Sequence, residues 1–175
     1  MNDREQLIHL LESDTNNELI PDLIARLEQS VIVDLQSDSQ YLKGVWELRW
    51  SSSSQPWLKQ APWLKNLQVL DPQKNKGVNL LGLSGIIGSV AVVAVEADLS
   101  INGINQIGVR FKKGGWIGPL MWNSWRPKLL KNINQSYPAW LDITYIDNDL
   151  RICRGNAGTC FALLKRADLD VNHWI

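Results

Sequence analysis

The chain has 175 residues, with 18 lysine and arginine residues against 18 aspartate and glutamate residues, and this length predicts one domain with a real core. Its two cysteines and charged N-terminus argue against a secreted, disulfide-rich protein and favour a reducing cytoplasmic compartment. The zero net charge hides an asymmetry, because residues 1–47 hold ten acidic and three basic residues, whereas residues 48–141 hold three acidic and eleven basic residues. The basic region could meet either an anionic surface or the acidic segment of the same chain.

Residues 1–39 predict two α-helices. Asn2 and Glu5 have the spacing of a capping box at the first helix, and apolar residues recur at helical spacing in both segments. Pro21 indicates that the second helix begins near Ile20 or is kinked there. Each helix would bury one apolar stripe against the rest of the protein.

A first strand is predicted from Tyr41 to Ser51. Trp46, Leu48 and Trp50 alternate there with Val45, Glu47 and Arg49, so the large residues would face the interior.

A short repeat follows, in which Pro-Trp-Leu-Lys occurs at residues 56–59 and again at residues 62–65. The prolines exclude a long helix. A loop with two tryptophans beside lysines suits either a lid over the interior or a membrane interface.

Residues 77–95 contain no charged residue and are the stretch nearest to a membrane span. Their four glycines and β-branched C-terminal half favour two strands joined by a glycine turn instead. Residues 104–111 alternate as a further strand, and residues 114–137 are predicted to form a long irregular segment that carries three tryptophans among basic residues.

The stretch from Trp140 to Lys165 predicts three strands joined by two-residue turns at Asp147-Asn148 and Asn156-Ala157, because Asn, Asp and Gly favour such turns. These turns would place Ile143 opposite Ile152, and Cys153 opposite Cys160 as a pair of free thiols. One face would then be apolar: Leu141, Ile143, Tyr145, Leu150, Ile152, Phe161 and Leu163. The other face would carry Asp142, Thr144, Arg151, Cys153 and Cys160, with Asp142 paired to Arg151.

Two of these stretches resemble the signatures of the plastid lipid-associated protein (PAP/fibrillin) family. Residues 41–53, YLKGVWELRWSSS, resemble its N-terminal signature, and residues 141–164, LDITYIDNDLRICRGNAGTCFALL, resemble its C-terminal signature. Two motifs in the right order are more specific than either alone. The resemblance implies a lipocalin-like antiparallel barrel that is associated with photosynthetic membranes and small hydrophobic molecules.

The resemblance also implies how one end of the barrel is closed. In lipocalin-like barrels a Gly-x-Trp on the first strand closes one end, and an arginine from the last strands packs across the indole. Gly44-Val45-Trp46 matches this pattern, and Arg154 is the expected arginine. The alternative is that Arg154 only ends a strand at the surface.

The predicted fold is therefore mainly β, a lipocalin-like antiparallel barrel preceded by two N-terminal α-helices. Residues 1–39 form the helical segment packed on the barrel, residues 40–167 form the barrel and residues 168–175 form a tail.

Catalytic chemistry finds little support in the sequence. The only histidines are His9 and His173, and neither they nor Cys153 and Cys160 have the spacing of a metal site or a catalytic triad. The glycine-rich run lacks the lysine of a phosphate-binding loop. We therefore expect a protein that is not an enzyme and has no metal or other cofactor.

The expected function is binding or carriage of an isoprenoid, quinone, carotenoid or acyl lipid, in the cytoplasm or peripheral to a thylakoid-type membrane. The predicted ligand-binding residues are Trp46, Leu48, Trp50, Val109, Phe111, Ile143, Tyr145, Ile152, Arg154 and Phe161. The predicted membrane-docking residues are Trp57, Leu58, Trp63, Leu64, Trp116, Trp122 and Trp125.

Three alternatives remain at this stage. The barrel could be filled by its own side chains. It could also serve as a bilin attachment enzyme or assembly helper. Nucleic-acid binding is disfavoured, because no recognition motif accompanies the basic residues.

Overall fold

Three helices and nine strands make up the part of the chain that the computed structural model describes, namely residues 1–55, 64–83, 92–119, 127–134 and 139–175. The helices are α1 (Asp3–Ser13), α2 (Ile20–Ser30) and α3 (Leu35–Leu42). The strands are β1 (Gly44–Ser51), β2 (Leu64–Asp71), β3 (Lys76–Leu83), β4 (Val92–Asn102), β5 (Gln106–Ile117), β6 (Lys128–Asn132), β7 (Ala139–Ile146), β8 (Leu150–Gly155) and β9 (Cys160–Lys165).

Eight of these strands close into an antiparallel barrel. The sheet runs in the order β4-β3-β2-β1-β9-β8-β7-β5, and β4 also pairs with β5, which joins the two edges. Strand β6 pairs with the second half of β5, beyond the segment of β5 that pairs with β7. The predicted mainly β barrel is confirmed, with one helix more than the sequence analysis expected.

Helices α1 and α2 cover the outer face of β7, β8 and β9. Asn2 and Glu5 form the predicted capping box, and α2 begins at Ile20 with Pro21 in its first turn. The apolar stripes of both helices pack on residues of the sheet in one cluster: Leu7, Leu11, Ile20, Leu23, Ile24, Leu27, Tyr145, Leu150, Ile152, Cys160 and Ala162.

Helix α3 lies at one end of the barrel, where a strand had been predicted to begin. The prediction from Tyr41 was wrong, because Tyr41 and Leu42 belong to α3 and β1 starts at Gly44. The side chain of Asp34 caps this helix by accepting a hydrogen bond from the N–H of Gln36. Leu35 and Leu42 are buried beneath the barrel.

The C-terminal segment covers the outer face of the opposite side of the barrel. A 3₁₀ turn at Val171–His173 places Trp174 against the outward residues of β1 to β5, and Trp174 is buried. From the sequence, residues 168–175 were expected only to form a tail.

The β7–β8 hairpin has a different register from the predicted one. Its turn is Asn148-Asp149, which the Asp147 carboxylate stabilises by accepting the N–H of Asp149 at 2.8 Å. Tyr145 lies opposite Ile152, and a bulge at Thr144 follows. Ile143 therefore faces Cys153 rather than Ile152.

The β8–β9 hairpin also departs from the prediction by one residue. Its loop has three residues, 156–158, because Gly158 adopts a φ of +76° and the Gly155 N–H donates to the Thr159 carbonyl. Cys160 therefore lies opposite Arg154, and Cys153 lies opposite Phe161.

This register places the two cysteines on opposite faces of the sheet. Cys153 packs inside the barrel and Cys160 packs under the helices, so the prediction that they are cross-strand neighbours was wrong. Both are free thiols, as predicted. The expected pair of Asp142 with Arg151 is also absent, because the two side chains lie on opposite faces of the sheet. Asp142 instead accepts a hydrogen bond from Gln106 at 2.8 Å.

The uncharged and tryptophan-bearing stretches are described only in part. Strands β3 and β4 occupy the two ends of residues 77–95, and residues 84–91 lie outside the described residues. No helix in the described part of the chain is long and apolar enough to cross a membrane. The predicted irregular segment 114–137 was partly wrong, because β5 continues to Ile117 and β6 follows.

Candidate functional site

The interior of the barrel contains a cavity of about 330 Å³. Strands from the whole circumference contribute its apolar wall, because inward residues alternate along each strand. The apolar side chains are Leu48, Leu70, Ala97, Leu99, Ile107, Val109, Phe111, Ala139, Trp140, Leu141, Ala157 and Phe161. Polar side chains also line it: Ser53, Gln55, Asn66, Gln68, Asn79, Asn156 and Thr159.

One end of the barrel is closed by Trp46. Its indole is fully buried, and Nε1 donates a hydrogen bond to the Leu42 carbonyl of α3 at 2.9 Å. Gly44 allows the side chain of Lys165 to cross the backbone here, since a Cβ at that position would lie 2.5 Å from Lys165 Cε. The Gly-x-Trp pattern therefore closes this end, as the resemblance implied.

Two cations lie over the Trp46 ring. Arg151 Cζ is 5.0 Å from the ring centroid, and Lys165 Nζ is 4.9 Å from it. Lys165 Nζ also donates to the Tyr41 carbonyl at 3.0 Å. Arg151 reaches across the lumen from β8 and donates through Nη2 to Gln68 on β2. Gln68 lines the cavity, whereas Arg151 and Trp46 are enclosed behind it, and we call these two residues with Lys165 the floor of the barrel.

Burial determines the electrostatics of this floor. Desolvation lowers the pKa of Arg151 and of Lys165, since both cations have lost water. Burial also raises the pKa of Cys153, which projects from β8 on the same side as Arg151. Cys153 is therefore a neutral thiol at pH 7 and not an anionic partner for either cation.

Arg154 is not the arginine over Trp46, and this prediction was wrong. It lies on the outer face of β8, where Nε and Nη2 donate to the Glu28 carboxylate of α2 at 2.9 and 2.7 Å. Thr144 also donates to Glu28, at 2.7 Å. Burial alone would raise the pKa of Glu28, but these hydrogen bonds hold it below its ordinary value. Arg154 thus joins a helix to the barrel.

The ten predicted ligand-binding residues divide between the two faces. Those that line the cavity are Leu48, Val109, Phe111 and Phe161. Trp46 and Ile143 belong to the core at the closed end. The structure places the other four, Trp50, Tyr145, Ile152 and Arg154, on the outer face beside the helices, because the one-residue changes of register turn them outward. As a ligand-binding set they remain a prediction.

Several wall residues were missed by the sequence analysis. Leu70 and Leu99 lie in strands without a recognised motif. Leu141 was predicted to lie on the apolar face of the last three strands but was not assigned to the cavity. Period-2 alternation in β2 and β4 was the available signal. Gln68 and Arg151 were missed because a polar residue in a strand ordinarily faces water.

An exposed apolar row continues the inner face of the barrel. Val93, Trp116 and Leu129 lie directly opposite one another on β4, β5 and β6, and they are 56%, 41% and 68% exposed. By alternation they share the face of the lumen-lining residues, and Lys131 of β6 projects on the same side. Of the predicted docking residues, Trp57, Leu58, Trp63, Trp122 and Trp125 lie outside the described residues. Leu64 begins β2.

The outer surface offers a larger but more polar groove. It measures about 540 Å³ and lies between β4, β5 and the C-terminal segment. Lysines in the groove form ion pairs with acidic residues; for example, Lys112 Nζ lies 3.0 Å from Asp98 Oδ2. Among the described residues, no three His, Cys, Asp or Glu side chains lie close enough to hold a metal ion. The apolar lumen is therefore the stronger candidate for a ligand site.

The chain is thus a small closed antiparallel β-barrel, and its internal apolar cavity is compatible with binding a hydrophobic molecule. A family model described as PAP_fibrillin matches residues 8–164, so the chain belongs to the PAP/fibrillin family. No curated protein and no solved structure matches the chain.

Proposed function

We propose that the protein binds and carries a small hydrophobic molecule in the lumen of its barrel, without catalysing a reaction on it. The observation that carries this proposal is the cavity of about 330 Å³ with apolar walls and one closed end. Ligand pockets in proteins span roughly 300 to 1,000 Å³ and are mostly apolar. Membership of the PAP/fibrillin family is compatible with this function.

Extraction with organic solvent tests the proposal. The purified protein should release an isoprenoid, quinone, carotenoid or acyl lipid, or take one up at a molar ratio near one. Val109→Trp should abolish uptake, because the indole would fill the lumen from its wall. Val31→Trp is the matched control, since Val31 lies at the exposed end of α2. Equal uptake by both variants would contradict a lumenal site.

Uptake and release are proposed to take place at an anionic membrane of the thylakoid type. The exposed row of Val93, Trp116 and Leu129 supports this, because tryptophan favours the boundary between lipid headgroups and acyl chains. Lys131 beside the row adds attraction to anionic lipid. Part of the basic region is neutralised within the chain, since Lys65 binds Glu47 and Lys112 binds Asp98, so the proposed contact with lipid rests on the exposed row and Lys131.

Sedimentation with vesicles of phosphatidylglycerol and phosphatidylcholine tests the membrane contact. Binding should weaken with salt, since the Debye length falls from about 10 Å at 0.1 M to about 3 Å at 1 M, but the inserted indole should retain some binding. The double variant Trp116→Ser, Leu129→Ser should bind weakly. The control Ile32→Ser, Ile104→Ser removes two apolar side chains that are 92% and 64% exposed elsewhere on the surface, and it should bind normally.

Incubation of the protein with a bilin and an acceptor protein distinguishes the carrier from the bilin alternative. Stoichiometric bilin uptake followed by transfer to an acceptor cysteine would replace the carrier proposal with an attachment function. Failure of the intact protein to sediment at low salt would remove the membrane part and leave a soluble carrier.

A further inference from the structure

We propose that the molecule bound in the lumen is an amphiphile with a carboxylate head, which Arg151 holds at the closed end while the apolar chain extends towards the mouth. This inference rests on the proposed function and assigns its ligand class.

The first observation is an incomplete set of hydrogen bonds on a fully buried guanidinium. Arg151 is 0% exposed; its Nη2 donates to Gln68, and the Cys153 side chain is a second hydrogen-bonding neighbour. Nε and Nη1 have no hydrogen-bond partner in that part of the structure. Buried donors are nearly always paired, so these two indicate a missing acceptor.

The second observation is the charge of the closed end. Arg151 and Lys165 both lie over Trp46, and neither forms an ion pair within the described ranges. Asp149 and Asp147 act on Lys165 only through space, because both carboxylates bind Arg4 of α1. Burial raises the pKa of the Cys153 thiol, which keeps it neutral. The closed end of the barrel therefore holds two cations with no carboxylate bound directly to either one in the described part of the chain.

The third observation connects the floor to the cavity. Gln68 accepts the hydrogen bond from Arg151 and also lines the lumen, while the guanidinium is enclosed behind it. A head group at the base of the cavity would therefore meet Gln68 first and would reach the guanidinium once the Gln68 side chain turns aside. A carboxylate matches a guanidinium because it can accept two parallel hydrogen bonds. The apolar wall above, including Leu48 and Phe161, suits a hydrocarbon chain. A carotenoid or other neutral hydrocarbon would leave both donors and the charge uncompensated.

Titration with a fluorescent polyene fatty acid and with its methyl ester tests the inference. The two probes share one hydrocarbon chain and differ only in the anionic head. The intact protein should bind the acid at least about tenfold more tightly than the ester, which is the effect of a hydrogen bond to a charged group. Arg151→Met should abolish the preference, so that the variant binds the acid and the ester with nearly equal affinity.

The matched control is Arg154→Met. Arg154 lies on the same strand three residues away, but it faces outward and binds Glu28, so its replacement should preserve the preference for the acid. Arg151→Lys should retain part of the preference, because the positive charge remains. The acid should also raise the melting temperature of the intact protein more than that of Arg151→Met, which binds it more weakly.

The outcomes separate this inference from the proposed function. Equal affinity of the intact protein for acid and ester would overturn the carboxylate site while leaving a hydrophobic carrier. Binding of neither probe would also overturn the carboxylate site, whereas the proposed function itself would be contradicted only if the extraction experiment found no hydrophobic molecule released or taken up. If Arg151→Met does not fold, the comparison of acid and ester on the intact protein and on Arg151→Lys decides the matter, and a preference that Arg151→Lys leaves undiminished would also count against Arg151.

Discussion

Trp46 is the residue on which the closed end depends. Its fully buried indole contacts α3 through the Leu42 carbonyl and supports two cations. Trp46→Ala should lower the free energy of unfolding by about 3 to 5 kcal/mol, the range for emptying an aromatic core site. Trp50→Ala, on the same strand but only half-buried, should cost clearly less. Chemical denaturation measures both, and equal losses would contradict the assigned role of Trp46.

Coupling between Trp46 and Arg151 can be measured separately. A double-mutant cycle with Trp46→Ala and Arg151→Met should give about 0.5 to 2 kcal/mol, because the guanidinium lies over the indole. The same cycle with Arg154→Met should give none, since Arg154 faces α2. Coupling to Arg154 in place of Arg151 would mean that the register of β8 is wrong.

Glu47 is a second buried charge, and it has partners. Its carboxylate accepts hydrogen bonds from Lys65, from Arg49 at 2.9 Å and from Arg166 at 2.7 Å, which joins β1 to β2 and to the C-terminal segment. Burial alone would raise the pKa of Glu47, but the hydrogen bonds from Lys65, Arg166 and Arg49 lower it below its ordinary value.

A pH-dependent loss of stability follows from the lowered pKa of Glu47. The contribution of a carboxylate whose folded pKa is lowered is present above its unfolded pKa of about 4.3 and is lost as pH falls through the folded pKa. Glu47→Gln should therefore lower the free energy of unfolding at pH 7 by about 1.5 to 3 kcal/mol, the range for hydrogen bonds with a charged group. The difference from the intact protein should shrink below about pH 4.

Asp168→Asn provides the control for Glu47. Asp168 binds the same Arg166, but it is largely exposed, so its replacement should change stability by less than about 1 kcal/mol. A difference between Glu47→Gln and the intact protein that stays constant from pH 7 to pH 3 would show that the Glu47 charge is not the cause.

At the scale of elements, α2 is held by an apolar stripe and by one ion pair. Leu23 is almost fully buried between α2 and the outer face of β7 to β9. Leu23→Ala should reduce the free energy of unfolding by about 2 to 5 kcal/mol. Arg26→Ala, on the exposed side of the helix, should cost less than about 1 kcal/mol. A separate unfolding transition for the helices would contradict a shared core.

Whether an element could be predicted depended on how local its signal was. The capping box at Asn2 and the period-2 pattern that puts Val109 and Phe111 on one face are local signals. The structure contains the helix and the strand that they predicted, α1 and β5. Helix α3 has eight residues and only the Asp34 cap as a start signal. Strand β6 is short and follows residues that read as irregular. The role of Trp174 depends on a distant surface that the sequence does not reveal.

The faces of β8 could not be predicted because both of them are buried. Helices cover Leu150 and Ile152 on one side, and the lumen receives Arg151 and Cys153 on the other. Alternation then gives no polar face to fix the register. The sequence around Gly158 suits either a two-residue or a three-residue loop. The choice shifts the register of β9 against β8 by one residue and so exchanges the two faces of β9. The motif could predict a barrel closed by Trp46 but not which arginine accompanies it.

At the scale of the whole molecule, the barrel is covered on the outside and left partly empty within. Helices α1 and α2 cover one side, the C-terminal segment covers the other and α3 lies at the closed end. Because apolar clusters on the outer face of the barrel supply much of the hydrophobic core, the lumen need not be completely filled with side chains. Arg151 fits a ligand-binding lumen, because a buried charge without an ion-pair partner lowers stability and a bound anion would offset that cost.

The most direct test of a lumenal ligand is isotope-filtered nuclear magnetic resonance on methyl-labelled protein with a bound polyene fatty acid. The account predicts nuclear Overhauser effects from the hydrocarbon chain to the methyl groups of Leu48, Leu99 and Val109, which line the cavity. It predicts none to the exposed methyl groups of Val31 and Ile32. Contacts confined to exterior methyl groups, with the lumenal ones silent, would contradict the central claim that this barrel carries its ligand inside.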